Sequence, residues 1–346
     1  MPTLDTPYVA VDLDLMEANL ARLQTYLDQH GLANRPHIKT HKIPALARRQ
    51  VALGAVGITC QKLGEVEVMA EAGLTDIFLP YNLVGTAKLD RLSRLLKAVN
   101  LSVTADSAVI ATGLSSAAQQ AGRELTILVE CDTGARRCGV QSPQEAADLA
   151  RIIARLPGLR FGGLMTYPNR PELDDFVGAT RALLGGELPI ERVSGGGSAC
   201  MWEAHTHRAL TEHRAGMYLF GDRSLMTAGA VPLEHCAFGV RTTVVSRPTR
   251  ERGVLDAGSK VLSSDTLGLE GFGYIREYPD ARITGLSEEH GHVDFTACPR
   301  RPEIGEIVTV IPNHCCPVVN LADELVGLRH QAVDTVWAVT ARGRVR

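Results

Sequence analysis

No stretch of the chain is apolar for long enough to cross a bilayer as a helix, and no run of lysine and arginine marks a nucleic-acid surface. The net charge of −3 adds no footprint for a polyanion. A basic-then-apolar leader pattern is missing from the amino terminus, so a cytoplasmic protein with neither membrane nor nucleic-acid partners is expected. The cysteines, at positions 60, 131, 138, 200, 236, 298, 315 and 316, include no C-x-x-C pair. In a chain of 346 residues, large enough not to need staples, they read as reduced thiols. No G-x-G-x-x-G follows the first strand-like run, which weakens a doubly wound open sheet as the architecture. What is present is globular in texture, long enough for a barrel and one further domain.

The run 7–13 reads as a strand, and Asp14 can cap the helix expected over 15–27, whose Leu15, Leu20, Leu23 and Leu27 recur at three- to four-residue spacing. A regular alternation follows. Strand-like runs at 36–40, 57–62, 76–80, 101–105, 125–130, 159–165, 191–194 and 216–220 are mostly separated by helix-period segments at 43–53, 65–72, 88–99, 108–121, 143–156 and 174–184. Eight strands with helical crossovers predict a (β/α)8 TIM-like barrel of α/β class. After about residue 225 helical periodicity nearly vanishes. Short β-branched runs at 239–245, 253–256, 292–296, 306–311, 324–328 and 335–339 predict an antiparallel β domain. The expected division is a barrel over 14–225 and a β domain over 226–346, joined by the strand at 5–13.

In such a barrel the carboxyl ends of the strands line one mouth. Those ends carry Lys39, Gln61, Tyr81, Asp106, Asp132 with Arg137, Tyr167, the run Ser194-Gly195-Gly196-Gly197-Ser198, and Tyr218. Lysine, arginine, tyrosines and a glycine-rich turn at one mouth suit an anionic aromatic cofactor. Lys39 can lose its proton when partly desolvated and form a Schiff base, although a surface lysine is the plainer reading of that segment alone. Gly195–Gly197 would leave consecutive backbone N–H groups uncovered, a nest for phosphate; a flexible turn is the other reading. In the β domain, an extended backbone through His314-Cys315-Cys316 would turn His314 and Cys316 to one side, an imidazole and a thiolate for a zinc-like ion with positions left for water or substrate. The alternative is buried cysteines beside a satisfied histidine. Glu288-Glu289-His290-Gly291-His292 lacks the spacing of H-E-x-x-H, and His205 and His207 carry no motif and read as surface residues.

With these residues in place, the chain resembles the D-threonine aldolase and D-serine dehydratase family, within the alanine-racemase-like pyridoxal-phosphate fold. The resemblance runs from Pro36-His37-Ile38-Lys39-Thr40-His41-Lys42 through Arg137-Cys138-Gly139, Gly195-Gly196-Gly197-Ser198, Asp256-Ala257-Gly258 and Glu289-His290-Gly291 to His314-Cys315-Cys316-Pro317 and Ala341-Arg342-Gly343. It implies a barrel followed by a β domain, usually in a homodimer with active sites near the interface. Carried over residue by residue, Lys39 would bind pyridoxal 5'-phosphate covalently and Arg137 would hydrogen-bond its phenolate oxygen. Gly196, Gly197, Ser198, Gly216 and Met217 would hold the phosphate, with Tyr167 and Gln61 lining the pocket. His314 and Cys316 would bind a divalent metal, Zn, Mn or Mg.

Two positions depart from the aldolase pattern. Aldolases of this family place an aspartate where this chain has Cys316, which matches the dehydratases, and a histidine where it has Pro168. Leu164-Met165-Thr166-Tyr167, in contrast, looks like the aldolase version. The expected reaction is therefore retro-aldol cleavage of a D-β-hydroxy-α-amino acid to glycine and an aldehyde, with catalysis by Lys39 and Tyr167. Dehydration to a keto acid and ammonia is the alternative. A racemase, which would need no metal, and a non-catalytic cofactor carrier are more distant ones.

Overall fold

The computed structural model describes residues 4–346, which fall into two compact units. One comprises 22–39, 44–216 and 344–346; the other comprises the described residues up to Ala21 with 40–43 and 217–343.

The first unit is a curled sheet of eight strands, each paired in parallel with its neighbours: Ala33–Asn34, Ile58–Thr59, Asp76–Leu79, Asn100–Ala105, Leu125–Cys131, Leu159–Thr166, Arg192–Gly196 and Glu212–Arg214. The first strand pairs with the last, and the others follow in chain order across the sheet. A single parallel bridge between His37 and Thr59 joins the two ends of the curl. The crossovers are helical for local reasons. Ser107 and Ser142 accept hydrogen bonds from the N–H groups of Ile110 and Glu145, and Pro143 opens its helix where no donor is lost. Helix Pro143–Arg155 buries Ala146, Ala147, Leu149, Ala150 and Ile153, a stripe at three- to four-residue spacing. Its two large members are worth about 1.5–3 kcal/mol each by area.

Two expected strands are absent. Segment 36–40 is a 3-10 turn, Ile38–Thr40, after a strand that ends at Asn34. Pro36 has no N–H for a ladder, and beyond His37, whose N–H still reaches the Ala215 carbonyl, the chain turns. The eighth strand is Glu212–Arg214 rather than 216–220. Phe220 and Gly221 donate locally to the Met217 carbonyl, closing the 3-10 turn Met217–Leu219.

The second unit is built on a nine-stranded, mainly antiparallel sheet. Tyr8–Asp12 lies inside it, antiparallel to Phe238–Ser246 and parallel to Glu324–Arg329, the one parallel pairing among its described strands. Strands Tyr274–Ile275 and Arg282–Leu286 were not expected from the sequence; the first is too short to show a period, and a register shift interrupts the second. Helix Leu13–Gln29 is capped by Asp12, which accepts from Leu15 N–H at 3.0 Å, not by Asp14, which pairs with Arg329. No helix among the described residues is long and apolar enough to cross a membrane.

Inside the curled sheet Glu212 accepts from Arg35 Nε at 2.6 Å and from Ser194 Oγ at 2.5 Å, with Arg192 Nη1 3.8 Å away. Burial raises the Glu212 carboxyl, but Arg35 and Arg192 outweigh it and hold the group below the ordinary carboxylate range. Its stabilisation is therefore present above the unfolded carboxylate pKa and is lost as pH falls through the lower folded value. Glu212→Ala leaves buried Arg35 with Asp76 as its remaining carboxylate and Arg192 with none among the described residues, and a urea unfolding midpoint should report a loss of about 3 kcal/mol at neutral pH. The deficit should shrink on acidification.

Candidate active site

Lys39 sits half-buried in the turn Ile38–Thr40, its backbone N–H 3.4 Å from His37 Nδ1. The other ring nitrogen of His37 lies 2.9 Å from Gln61 Oε1, and Gln61 Nε2 donates to the Pro80 carbonyl at 3.3 Å. Gln61 thus reaches the lysine turn through His37, a residue the sequence had not singled out.

Lys39 Nζ lies 6.0 Å from the centroid of the Tyr167 ring, and Arg137 Cζ lies 4.9 Å from it. Tyr167 is 41% exposed, so a face shared by an amine and a guanidinium is open to a ligand. Arg137 reaches it from a loop that folds back on its own strand: Asp132 Oδ1 accepts from Gly134 and Arg136, and Val140 bridges to Cys131. Gly139 (φ +115°) is required there, because a Cβ would meet Asp132 N at 2.6 Å. Arg137 Nη2 also stands 3.9 Å from Glu130 Oε1. Burial pushes the Glu130 carboxyl up although Arg137 opposes it, so Glu130 competes weakly for the guanidinium.

The glycine turn differs from an open nest. Gly196 N–H donates to Asn169 Oδ1 at 2.7 Å and Gly197 N–H to the Arg214 carbonyl at 3.1 Å. A Cβ on Gly196 would lie 2.8 Å from that same carbonyl, so close backbone packing demands glycine here. Ser198 Oγ accepts from Gly216 N–H at 3.1 Å, which brings those two together; Met217 begins the following turn. Among the other strand-end residues, Tyr81 carries Lys62 Nζ over its ring at 3.9 Å, Asp106 accepts from Asn82 at 2.7 Å, and Tyr218 is buried. An amine, a guanidinium and an aromatic face together fit an anionic aromatic aldehyde.

In the other unit His314 caps helix Cys315–Leu321, so Cys315 and Cys316 occupy a helical first turn, not an extended backbone. The pair nonetheless meets: the His314 and Cys316 side chains hydrogen-bond, and Cys316 Sγ is 3.3 Å from Oγ1 of Thr40, the residue after Lys39 in sequence. Burial lowers the His314 imidazole, but Cys316 and then Asp265 outweigh it and push it up to about 9. A hydrogen bond from Cys315 lowers the Cys316 thiol well below its usual range; burial opposes this, and His314 and Thr40 reinforce it. The two shifts favour charge on both partners of the pair. Asp222 accepts from Cys315 N–H at 3.0 Å and anchors the helix start. Among the described residues no group of three or more His, Cys, Asp or Glu side chains could hold an ion. An imidazole and a thiol are a donor set of the kind a zinc-like ion takes, too few for a closed structural site.

The remaining motif residues serve the fold. Asp256 accepts from Thr6, Thr242 and Thr243, and Glu289 pairs with Lys260 at 2.5 Å. His205, expected at the surface, is exposed but lies 2.6 Å from the Tyr26 hydroxyl and stacks on His30.

A curled parallel sheet with a lysine turn at its rim, and a mainly antiparallel sheet in a second unit, define a fold-type III pyridoxal-phosphate protein. The chain belongs to the family described as alanine racemase, N-terminal domain, which it matches over residues 11–224; residues 237–328 match a serine dehydratase domain. It is 35% identical to a D-threonine aldolase from an Arthrobacter species over 98% of this chain and 93% of that protein. A 3-hydroxy-D-aspartate aldolase from Paracoccus denitrificans is 32% identical, covering 99% of this chain and 93% of the relative. Among solved structures, a D-threonine aldolase from Filomicrobium marinum superposes with a TM-score of 0.90 at 32% identity, over 99% of this chain and 97% of that one. The D-threo-3-hydroxyaspartate dehydratase from Delftia sp. HT23 does so at 0.83 and 28% identity, over 97% of each chain.

The imidazolium–thiolate pair has a spectroscopic consequence. In metal-free protein the ultraviolet absorbance of one thiolate should persist well below about pH 8.5, the ordinary cysteine value. Cys316→Ser should remove it; a signal that titrates at the ordinary value would deny the pairing.

Proposed function

We propose that this protein is a pyridoxal-phosphate-dependent carbon–carbon lyase that cleaves D-β-hydroxy-α-amino acids to glycine and an aldehyde, as a D-threonine aldolase does. The observation that carries this reading is the 35% identity to such an aldolase over 98% of the chain. A divalent ion (Zn, Mn or Mg) and a homodimeric assembly belong to the same proposal.

When bound, pyridoxal phosphate supplies an electron sink for charge at Cα, and a divalent ion supplies a Lewis acid for the β-oxygen. The chain does the rest. Lys39 provides the amine that anchors the cofactor, and its Nζ moves a proton to or from Cα. Arg137, only 3.9 Å from Glu130, would donate to the cofactor's phenolate oxygen. Tyr167 would line the pocket. Ser198, Gly216 and Met217 would hold the phosphate, Gly216 also bonding Ser198 Oγ. Gly196 and Gly197, their N–H groups already committed, bring the backbone close enough for it to sit there. Gln61 steadies the lysine turn through His37. His314 and Cys316 hold the ion.

Which bond breaks would depend on which proton leaves. Removal of the β-hydroxyl proton would favour breaking Cα–Cβ, with a proton returned to Cα to give glycine; removal of the α-proton by Lys39 Nζ would favour loss of the β-hydroxyl as water, and hydrolysis would then give a keto acid and ammonia. Pro168, which offers no proton acceptor, and Cys316, which matches the dehydratases, favour this second reading. So does the 31% identity to a D-threo-3-hydroxyaspartate dehydratase over 91% of the chain.

Product analysis with D-threonine separates the two. Glycine and acetaldehyde are expected, and 2-oxobutyrate in their place would make the protein a dehydratase. Lys39→Ala should abolish the visible absorbance of the bound cofactor's Schiff base; an unchanged band would remove Lys39 from its role. Dialysis against a chelator should switch turnover off and a divalent ion restore it, whereas indifference to the chelator would leave His314 and Cys316 structural.

A further inference from the structure

The His314–Cys316 pair has a neighbour 49 residues away in sequence that no motif marks. We propose that Asp265 is a positioning residue that fixes which nitrogen of His314 faces the metal. The inference rests on the reading of His314 and Cys316 as metal ligands.

Asp265 Oδ2 lies 2.7 Å from His314 Nδ1. An ionised carboxylate only accepts, so Nδ1 carries the ring proton, and in the neutral imidazole the lone pair is then on Nε2. A bond of this kind holds both tautomer and ring orientation and strengthens the ligating nitrogen as a donor.

Asp265 is held in place to do this. Its other oxygen accepts from Leu267 N–H at 3.1 Å, and its own N–H donates to Ser263 Oγ at 3.1 Å. The turn is tight, with Leu267 at φ +46° and Gly268 at φ +77°. One carboxylate oxygen thus closes the turn while the second meets the imidazole. Asp222 has a different role: its oxygens go to Cys315 N–H, Leu225 N–H and the Ser224 hydroxyl, which makes it a brace for backbone.

The test is metal affinity, read without turnover. Metal-stripped protein is titrated with Co²⁺ and followed by the thiolate-to-cobalt charge-transfer absorption, with Zn²⁺ competition giving the second constant. Asp265→Ala should weaken binding about 10–100-fold. Asp265→Asn, whose single amide oxygen can accept from either Nδ1 or Leu267 N–H, should lose less affinity than Asp265→Ala. Each variant lacks an acceptor of the turn, so the metal-free melting temperature should fall slightly in both. Parent-like affinity in Asp265→Ala overturns the proposal. So does an equal loss of affinity in both variants, which would make Asp265 a residue of the loop's own fold. Failure of the underlying reading has another signature: a parent without the charge-transfer band, or a band that survives Cys316→Ser, removes the metal pair itself.

Discussion

The barrel unit depends on one buried carboxylate. Glu212, on the last strand, binds Arg35 just beyond the first strand and Ser194 on the seventh, and it stands beside Arg192. Arg214 continues the network, donating to Ser194 Oγ at 2.5 Å and to the Thr166 carbonyl at 3.0 Å. Every candidate cofactor residue on these strands is a short step from a member. Lys39 is four residues past Arg35, Tyr167 follows Thr166, and Gly196 to Ser198 follow Ser194. Buried ion pairs seldom stabilise a fold more than apolar packing of the same volume would. This one instead ties together three segments that carry candidate cofactor residues.

That logic explains what the sequence showed and what it hid. The barrel was legible because strands buried on both faces are apolar runs and the intervening helices keep a one-sided stripe; segment 108–121 was expected and found at the same bounds. The lysine segment was misread as a strand, since Ile38 beside polar neighbours mimics alternation, while the turn is set by tertiary bonds to Ala215 and Thr59. His314 and Cys316 were named for the wrong geometry, an extended backbone, when a helix start brings them together. The glycine run was legible as special, but its reason was not: its donors are taken by Asn169 and Arg214, distant in sequence. Asp265 had no local signal at all, because its partner lies across the fold.

The metal half illustrates how burial and pairing divide the work between adjacent cysteines. Cys315 is buried, and burial pushes its thiol well above the ordinary range; Cys316, next to it, is pulled well below. Neighbours in sequence are thus shifted in opposite directions. The first is buried, while the second faces Thr40 and His314.

A thiolate in such a place has a vulnerability that a carboxylate lacks. Once uncovered, a thiolate at Cys316 would be open to peroxide, through sulfenic and then sulfinic acid. The first of those products is reversible by small thiols and the second is not. On the proposed metal role, loss of the ion would expose this thiolate to permanent damage, and the shelf life of a purified preparation would follow its metal occupancy more closely than its folding stability.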